Sequence, residues 1–468
     1  MNEKTLWETY SKEELNRMEE TCRWYMDCLD LAKTERESAR LSVKMAEEAG
    51  YKNIKDIIAA KGRLAHGDKV YAVYNEKMVI LYHIGKENME KGMNILGAHI
   101  DSPRIDVKQN PLFESDGFAY LDTHYYGGVK KYQWVTIPLA LHGVVVKKDG
   151  TVIDVNIGEA EGDPVFTITD ILPHLGAAQM EKKAALVIEG EKLDLLVGSK
   201  PYVEEGEASE EDEKSGVKEA ILKILEEKYG MEEADFLSAE LEIVPAGKAR
   251  DLGFDRSMIL AYGHDDRICA FTSLKAMIEM EEVPERTSCC LLVDKEEIGS
   301  YGASGMQSCF FENMTAEVLE LCGYSSNLSV RRCLQNSKML SSDVNAAYDP
   351  LFPECFERKN TAFFGKGLVF SKYTGSRGKS GSSDANAEYM ASLRKVFDEN
   401  GIAFQTAELG KVDVGGGGTI AWITARYGME VIDSGVALLC MHAPMEVASK
   451  ADVHEAVRGY KAFLKDMK

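Results

Sequence analysis

Four short apolar runs in this chain break off into a histidine or an acid, and that repeated pattern limits the folds open to it. NILGAHID (94–101) ends on His99 and Asp101, SCCLLVDKEE (288–297) on Glu296 and Glu297, MLSSD (339–343) on Asp343, and VALLCMH (436–442) on His442. Short uninterrupted apolar runs are the mark of strands covered on both faces, as in a parallel or mixed sheet flanked by helices. Open sheets of that kind bind ligands beyond the carboxyl ends of their strands. The four runs are therefore expected to deliver their polar ends to one cleft. Asp265 of YGHDDRIC (262–269), just ahead of a helical pattern, is placed to join them.

The surrounding texture divides the chain. Its 468 residues are about three times a modal domain, so two domains are expected. Leu15, Met18, Cys22 and Met26 recur at helical spacing, followed by Leu29, Leu31 and Ala32, and predict amphipathic helices near the start. Val70 to Val73, Met78 to Tyr82 and Asn94 to Ala98 read as strands. From about Pro103 to Pro245 the pattern turns to alternating segments such as TVIDVNI and FTITDI, with an acidic stretch, EEGEASEEDEKSG (204–216), that reads as a mobile loop. After Ala246 helix and strand alternate again, with DDRICAFTSLKAMIEM (265–280) as a helix. An inserted, mainly β domain within an α/β domain accounts for this order.

Charge and composition exclude several classes. With 55 basic and 77 acidic residues the net charge is −22, which repels nucleic acid and anionic membranes, and no basic patch offsets it. No run of apolar residues is long enough to span a bilayer, and none follows the charged N-terminus, so a soluble, cytoplasmic protein is expected. The ten cysteines contain no CxxC spacing, which argues for reduced, mostly buried thiols.

Taken singly, each polar strand end has an ordinary explanation. His99 could be a hydrogen-bonded structural histidine, Asp265-Asp266-Arg267 a helix cap with an ion pair, and Glu296-Glu297 a solvated pair. Together they are acids placed directly after buried strands, which must be satisfied by partners or by a metal. Two histidines and three carboxylates suit two divalent ions, Zn²⁺ first, with Mn²⁺ or Co²⁺ as alternatives. Such a pair of ions needs one bridging carboxylate and can share a hydroxide that attacks a carbonyl. Adjacent glutamates allow a division of labour in which Glu297 binds metal while Glu296, pointing elsewhere, takes the proton of the water and passes it to the leaving amine. Asp101, two residues after His99, is placed to orient the imidazole.

At these residues the chain resembles the aspartyl aminopeptidase family of two-metal zinc aminopeptidases. The matching segments are GAHIDSPRIDVK, YGHDDRICAFTSL, LLVDKEEIGSYGASG, SSDVNAAYDP, GGGGTIAWITARYGMEV and LLCMHAPMEV, in order and across nearly the whole chain. The resemblance implies His99 and Asp343 on one metal, Glu297 and His442 on the other, Asp265 bridging, Glu296 as base and Asp101 behind His99. It implies a mixed-sheet, phosphorylase/hydrolase-like peptidase domain, 1–103 and 250–468, interrupted by a dimerisation domain, 104–249, with dimers assembling into a tetrahedral homo-oligomer of twelve. It further implies release of single N-terminal residues, Asp or Glu by preference, from peptides with a free N-terminus.

Substrate-reading residues follow from the same resemblance. Lys372 in GLVFSKYTG stands where the family sets a basic residue against an acidic side chain, and His174 in DILPHL is the nearest match to a histidine that reaches a neighbouring subunit's site. Gly415 to Gly418, with Gly417 and Gly418 closest to the next element, look like a phosphate loop but lack its GKS or GKT ending, so a substrate-approach turn at a helix start is expected. Asp343-Val344-Asn345 and MHAPMEV depart from the family's usual Asp-then-His and Ser-Ile-Arg runs, and DDR replaces Asp-Asn, as in the related glutamyl and tetrahedral aminopeptidases. These departures keep open a preference for neutral or basic N-terminal residues. A non-catalytic oligomeric scaffold is the remaining alternative. The −22 charge opposes acidic substrates unless a local cation such as Lys372 overcomes it.

Overall fold

In strand Met93–His99 and strand Thr287–Val293 every residue is buried, and neighbouring side chains feed two different cores. Leu96, Cys290 and Leu292 pack on one face, Ile95, Cys289 and Leu291 on the other, as the two-residue period of a strand requires. Each such leucine contributes roughly 1.5–3 kcal/mol by leaving water. That two-sided burial puts both strands at the centre of a nine-stranded mixed sheet in the computed structural model, which describes residues 4–202 and 216–468. The acidic stretch at 204–216 falls, but for Gly216, outside the described residues.

The sheet comprises β1 (Lys52–Asn53), β2 (Lys69–Tyr74), β3 (Met78–His83), β4 (Met93–His99), β5 (Thr287–Val293), β6 (Lys338–Ser341), β7 (Leu368–Ser371), β8 (Phe404–Thr406) and β9 (Glu430–Gly435), in the spatial order β1-β2-β3-β5-β4-β6-β9-β7-β8. β5, β4, β6 and β9 run parallel, with Val293 opposite His99, Ser341 opposite Gly97 and Ser341 opposite Asp433. Their carboxyl ends therefore open on the same edge.

Helices α2 (Glu35–Glu48), α3 (His264–Ile278) and α4 (Lys450–Asp466) pack on this sheet, and α1 (Lys12–Leu31) packs on all three of them. Ser11 caps α1 by accepting the Glu14 amide, and Thr34 and Glu37 close a capping box at α2. α1 buries Met18, Cys22, Tyr25 and Leu29 at helical spacing, whereas Leu31, expected on the same face, is 65% exposed at the helix end. α3 is buried on nearly every side, as a helix wedged between β4 and α4 must be.

Chain contacts separate two units, Met1–Ser102 with Ala249–Met441 and Glu446–Lys468, and Pro103–Lys248 with His442–Met445. Besides the large sheet, the first unit holds a five-stranded sheet in the order Arg250–Leu252, Met258–Ala261, Glu446–Ser449, Ala437–Leu439, Asn345–Ala346. The second unit is built on a six-stranded antiparallel sheet.

One strand departs from its sequence reading. VALLCMH is not a strand of the large sheet. After Gly435 the chain leaves β9, Ala437–Leu439 pairs with Glu446–Ser449 in the five-stranded sheet, and Cys440 and His442 take positive φ angles that end the strand before the histidine. Among the described residues no helix is long and apolar enough to cross a membrane.

Candidate metal centre

The register of β5, β4 and β6 sets three polar ends side by side. His99 is the last residue of β4 and is buried, and Asp343 lies two residues past β6. Beyond β5 the chain passes Asp294 and turns through Lys295, at φ 69°, into a single 3₁₀ turn, Glu296–Ile298, closed by Gly299 at φ 94°. This tight turn folds both glutamates back over the sheet edge instead of releasing them to solvent. Asp265 arrives from the other side, in the first turn of α3, where it and Asp266 depart from helical angles and the peptide between them is cis.

Three overlapping sets of ligand atoms lie within 4.8 Å of one another: His99, Glu296 and Asp343; His99, Asp265 and Glu297; and Asp265, Asp266 and Asp343. The His99 Nε2 is 3.2 Å from Asp265 Oδ1 and 3.9 Å from Glu296 Oε2. Glu296 is grouped with His99 and Asp343, and Glu297 with His99 and Asp265, so the two neighbouring glutamates fall in different sets that meet at His99. The Asp265 amide donates to Glu446 Oε2 at 3.0 Å, and the Ser102 hydroxyl donates to the Asp265 carbonyl at 2.6 Å.

Asp101 behaves differently from a simple partner of the imidazole. His99 Nδ1 lies 2.9 Å from the Asp101 backbone carbonyl, closer than the 3.3 Å to its carboxylate. The Asp101 carboxylate accepts the amides of Glu296 and Glu297, at 3.1 and 3.2 Å. One residue therefore fixes the ring of His99 and the backbone of both glutamates.

Burial and mutual repulsion disfavour the charged forms of several acids here. Burial pushes the Glu296 carboxyl up to about 7, against the pull of His99 and with the push of Asp101, Asp265 and Asp433. Burial likewise raises Asp343, helped by Glu296 and Asp266, and raises Asp266. Burial would lower the His99 imidazole, but its bonds to Asp101 and Asp265 hold it well above its usual value. A divalent ion would offset this crowding of acids, among oxygen and imidazole donors of the type zinc binds.

His442 is grouped with the second unit, its Nδ1 3.0 Å from the Gly128 carbonyl, and it belongs to none of the three sets. Lys372 follows β7 directly and is half-buried, its ammonium 5.1 Å from the Tyr373 ring. His174 is exposed on the second unit. Gly417 and Gly418 do not open a helix: the next one, Ala421–Ala425, starts after Thr419 and Ile420. A Cβ at either would meet only ordinary contacts, at 3.7 and 3.5 Å, whereas at Gly415 it would sit 1.8 Å from the Leu409 carbonyl and at Gly416 2.3 Å from that of Gly375. The first two glycines of the run, not the last two, are dictated by space.

Four residues at the site escaped the sequence reading. Asp266 looked like a cap. Glu446 lies on a strand that pairs it opposite Ala261, visible only in the five-stranded sheet. Asp294 accepts the Ser304 hydroxyl at 2.5 Å behind the glutamate turn. Asp433 sits inside β9, buried, its carboxyl pushed up to about 7 by that burial against the help of Ser341 and Thr419. An acid in the middle of an apolar strand, VIDSG, was the available signal. Gly435, two residues on, lets the Asp343 backbone through: a Cβ there would stand 1.8 Å from the Asp343 carbonyl oxygen.

Comparison with known proteins identifies the family. Residues 28–464 match the family described as aminopeptidase I zinc metalloprotease, M18. A probable M18 family aminopeptidase 1 of Clostridium acetobutylicum is 57% identical over 461 residues, 98% of each chain. The crystal structure of aminopeptidase I from that organism superposes with a TM-score of 0.91 at 54% identity over the whole of both chains, and that of an M18 aminopeptidase from Thermotoga maritima with 0.92 at 41% over 99% of each. The chain belongs to the M18 family of zinc metalloproteases, the aspartyl aminopeptidase family.

Proposed function

We propose that this M18 aminopeptidase releases single N-terminal residues, acidic ones by preference, using two divalent ions held by His99, Asp265, Glu297, Asp343 and His442. The observation that carries the reading is the convergence of four of these residues, with Glu296, in sets spanning no more than 4.8 Å. His99 and Asp343 would hold one ion and Glu297 the other, with Asp265 between them. His442 is given the second ion on the family resemblance alone. Zinc fits the imidazole and carboxylate donors best, and carboxylate-rich sites also admit Mn²⁺ or Co²⁺. Bound ions would polarise the scissile carbonyl and acidify a water at neutral pH.

The chain's own residues do the rest. Glu296, 3.9 Å from His99 and held by the Asp101 carboxylate through its amide, is suited to take a proton from water and return it to the leaving amine. Lys372, at the end of β7, is proposed to meet an acidic side chain, with Gly417 and Gly418 along the substrate backbone and His174 reaching a neighbouring subunit. The second unit is proposed to carry the homo-oligomer, tetrahedral and twelve-membered; it exposes Ile171, Leu172, Leu175, Met180 and Leu186, each by 47–74%. The enzyme is proposed to work in the cytoplasm, where its ten free cysteines remain reduced.

Glu296→Gln tests the role of the base. Hydrolysis of aspartyl and glutamyl anilides should fall by about 10²–10⁴-fold while bound zinc is unchanged. Loss of zinc together with activity would remove the assignment. A panel of aspartyl, glutamyl, leucyl and lysyl anilides with Zn²⁺, Mn²⁺ and Co²⁺ tests the preference, and faster leucyl or lysyl turnover would overturn it.

A further inference from the structure

Asp433 has a job that the metal cluster does not explain. It is 3% exposed and stands midway along β9, opposite Ser341 of β6 on one side and Ser371 of β7 on the other. The first of these is two residues from Asp343, and the second is the neighbour of Lys372. Both carboxylate oxygens lie 2.9 Å from the Thr419 hydroxyl, which donates to them and also accepts the Ala421 amide at 3.2 Å. Thr419 is the first residue after the glycine run, where the chain leaves an exposed loop and enters the core at Ile420.

The loop that Thr419 ends is tied to the one that Lys372 begins. The Gly375 amide donates to the Gly417 carbonyl at 2.8 Å, and Gly416 is close enough to the Gly375 carbonyl to exclude any side chain. The segment after Lys372 closes on itself, the Ala385 amide donating to the Lys372 carbonyl at 3.0 Å and Thr374 pairing with Ser383. Both loops therefore hang from β9 and β7 at neighbouring points. Of the polar contacts at Thr419, the one to Asp433 reaches the sheet that carries Asp343.

We infer that the Asp433–Thr419 pair is a positioning device that fixes the glycine loop and the Lys372 loop relative to the metal cluster, and so sets how tightly the N-terminal residue is held. The inference rests on the proposed aminopeptidase site and assigns to it two residues that touch neither metal nor reacting bond.

Thr419→Val keeps the shape of the side chain and removes the hydroxyl; Thr419→Ser restores the hydroxyl. In the zinc-loaded enzyme, Thr419→Val should raise KM for the preferred anilide by about tenfold, leaving kcat within about threefold, and Thr419→Ser should return KM to near wild type. Zinc content should not change. A wild-type KM in Thr419→Val, or a fall in kcat accompanied by loss of zinc, would overturn the inference. Hydrogen exchange reads the anchor without catalysis: amides at 411–420 should exchange faster in Thr419→Val, and unchanged protection would overturn it. Should the wild type hydrolyse no anilide, the aminopeptidase reading fails on its own, and exchange still decides whether the anchor exists.

Discussion

Replacing Gly435 with alanine should damage the metal centre from a residue that touches no metal. The Cβ would fall 1.8 Å from the Asp343 carbonyl oxygen and 2.5 Å from its carbon, both of them backbone and unable to rotate away. Restoring ordinary contact, about 3.5 Å between heavy atoms, requires about 1.7 Å of separation between β9 and the segment carrying Asp343. Overpacking of this kind costs about 1–3 kcal/mol, which in a chain of this size lowers Tm by a few degrees. The effect on catalysis is larger, because displacing Asp343, proposed above as a metal ligand, by about 1 Å should cost on the order of 10²-fold in rate. The assay is kcat/KM on the preferred anilide, with bound zinc after dialysis and a thermal melt. Gly190→Ala is the matched control, since its Cβ would meet only the Tyr125 ring at 3.5 Å. Equal activity, zinc content and Tm in the two variants would refute the reasoning.

Other expectations are as direct. Asp452 accepts the amides of Gly365 and Gly367 at 2.8 and 2.7 Å, so Asp452→Ala should strand two buried donors and cost about 1–3 kcal/mol for each, read by denaturant unfolding, without loss of bound zinc. Burial pushes its carboxyl up to about 7, above its unfolded value of about 3.9, so its contribution is greatest below about pH 4 and is lost as pH rises through 7. Wild type should therefore lose stability relative to Asp452→Asn between pH 4 and 8, and parallel stability curves would contradict that. Removing zinc by chelation should abolish hydrolysis and lower Tm, with both restored by added Zn²⁺, since an ion held at about a thousand times its dissociation constant contributes about 4 kcal/mol. Leu175→Asp with Met180→Asp should reduce the mass of the assembly in solution; an unchanged mass would place the interface elsewhere.

Much of the catalytic unit was readable because its central strands are apolar without interruption. β4 and β5 have to be covered on both faces, and that alone places His99 and the two glutamates at one sheet edge. The reading failed where strand pairing, and not local composition, decides which sheet a segment joins. Ala437–Leu439 has the composition of a central strand, yet three residues after a glycine can join either sheet, and only the presence of Glu446–Ser449 decides which. Asp266 and Glu446 were invisible for the same reason: a buried acid and a cap have the same letters until register places them. Asp433 carried a signal, an acid inside an apolar strand, but its partner Thr419 is joined to it only by the fold. The scaffold alternative falls with membership of a family of zinc metalloproteases.

The strand order also has a consequence for synthesis. Within the first 102 residues β1, β2 and β3 can pair with one another, but β4 cannot, since its neighbours in the sheet are β5 and β6. The strand that ends in His99 must wait for roughly 185 further residues, about 10–40 s at ordinary rates of translation, before its first partner leaves the ribosome. During that interval the six-stranded sheet of the second unit, whose strands all lie between residues 104 and 245, can form from its own residues. A nascent chain halted in this window would present ILGA as an open, apolar edge, the segment that a chaperone has most reason to hold.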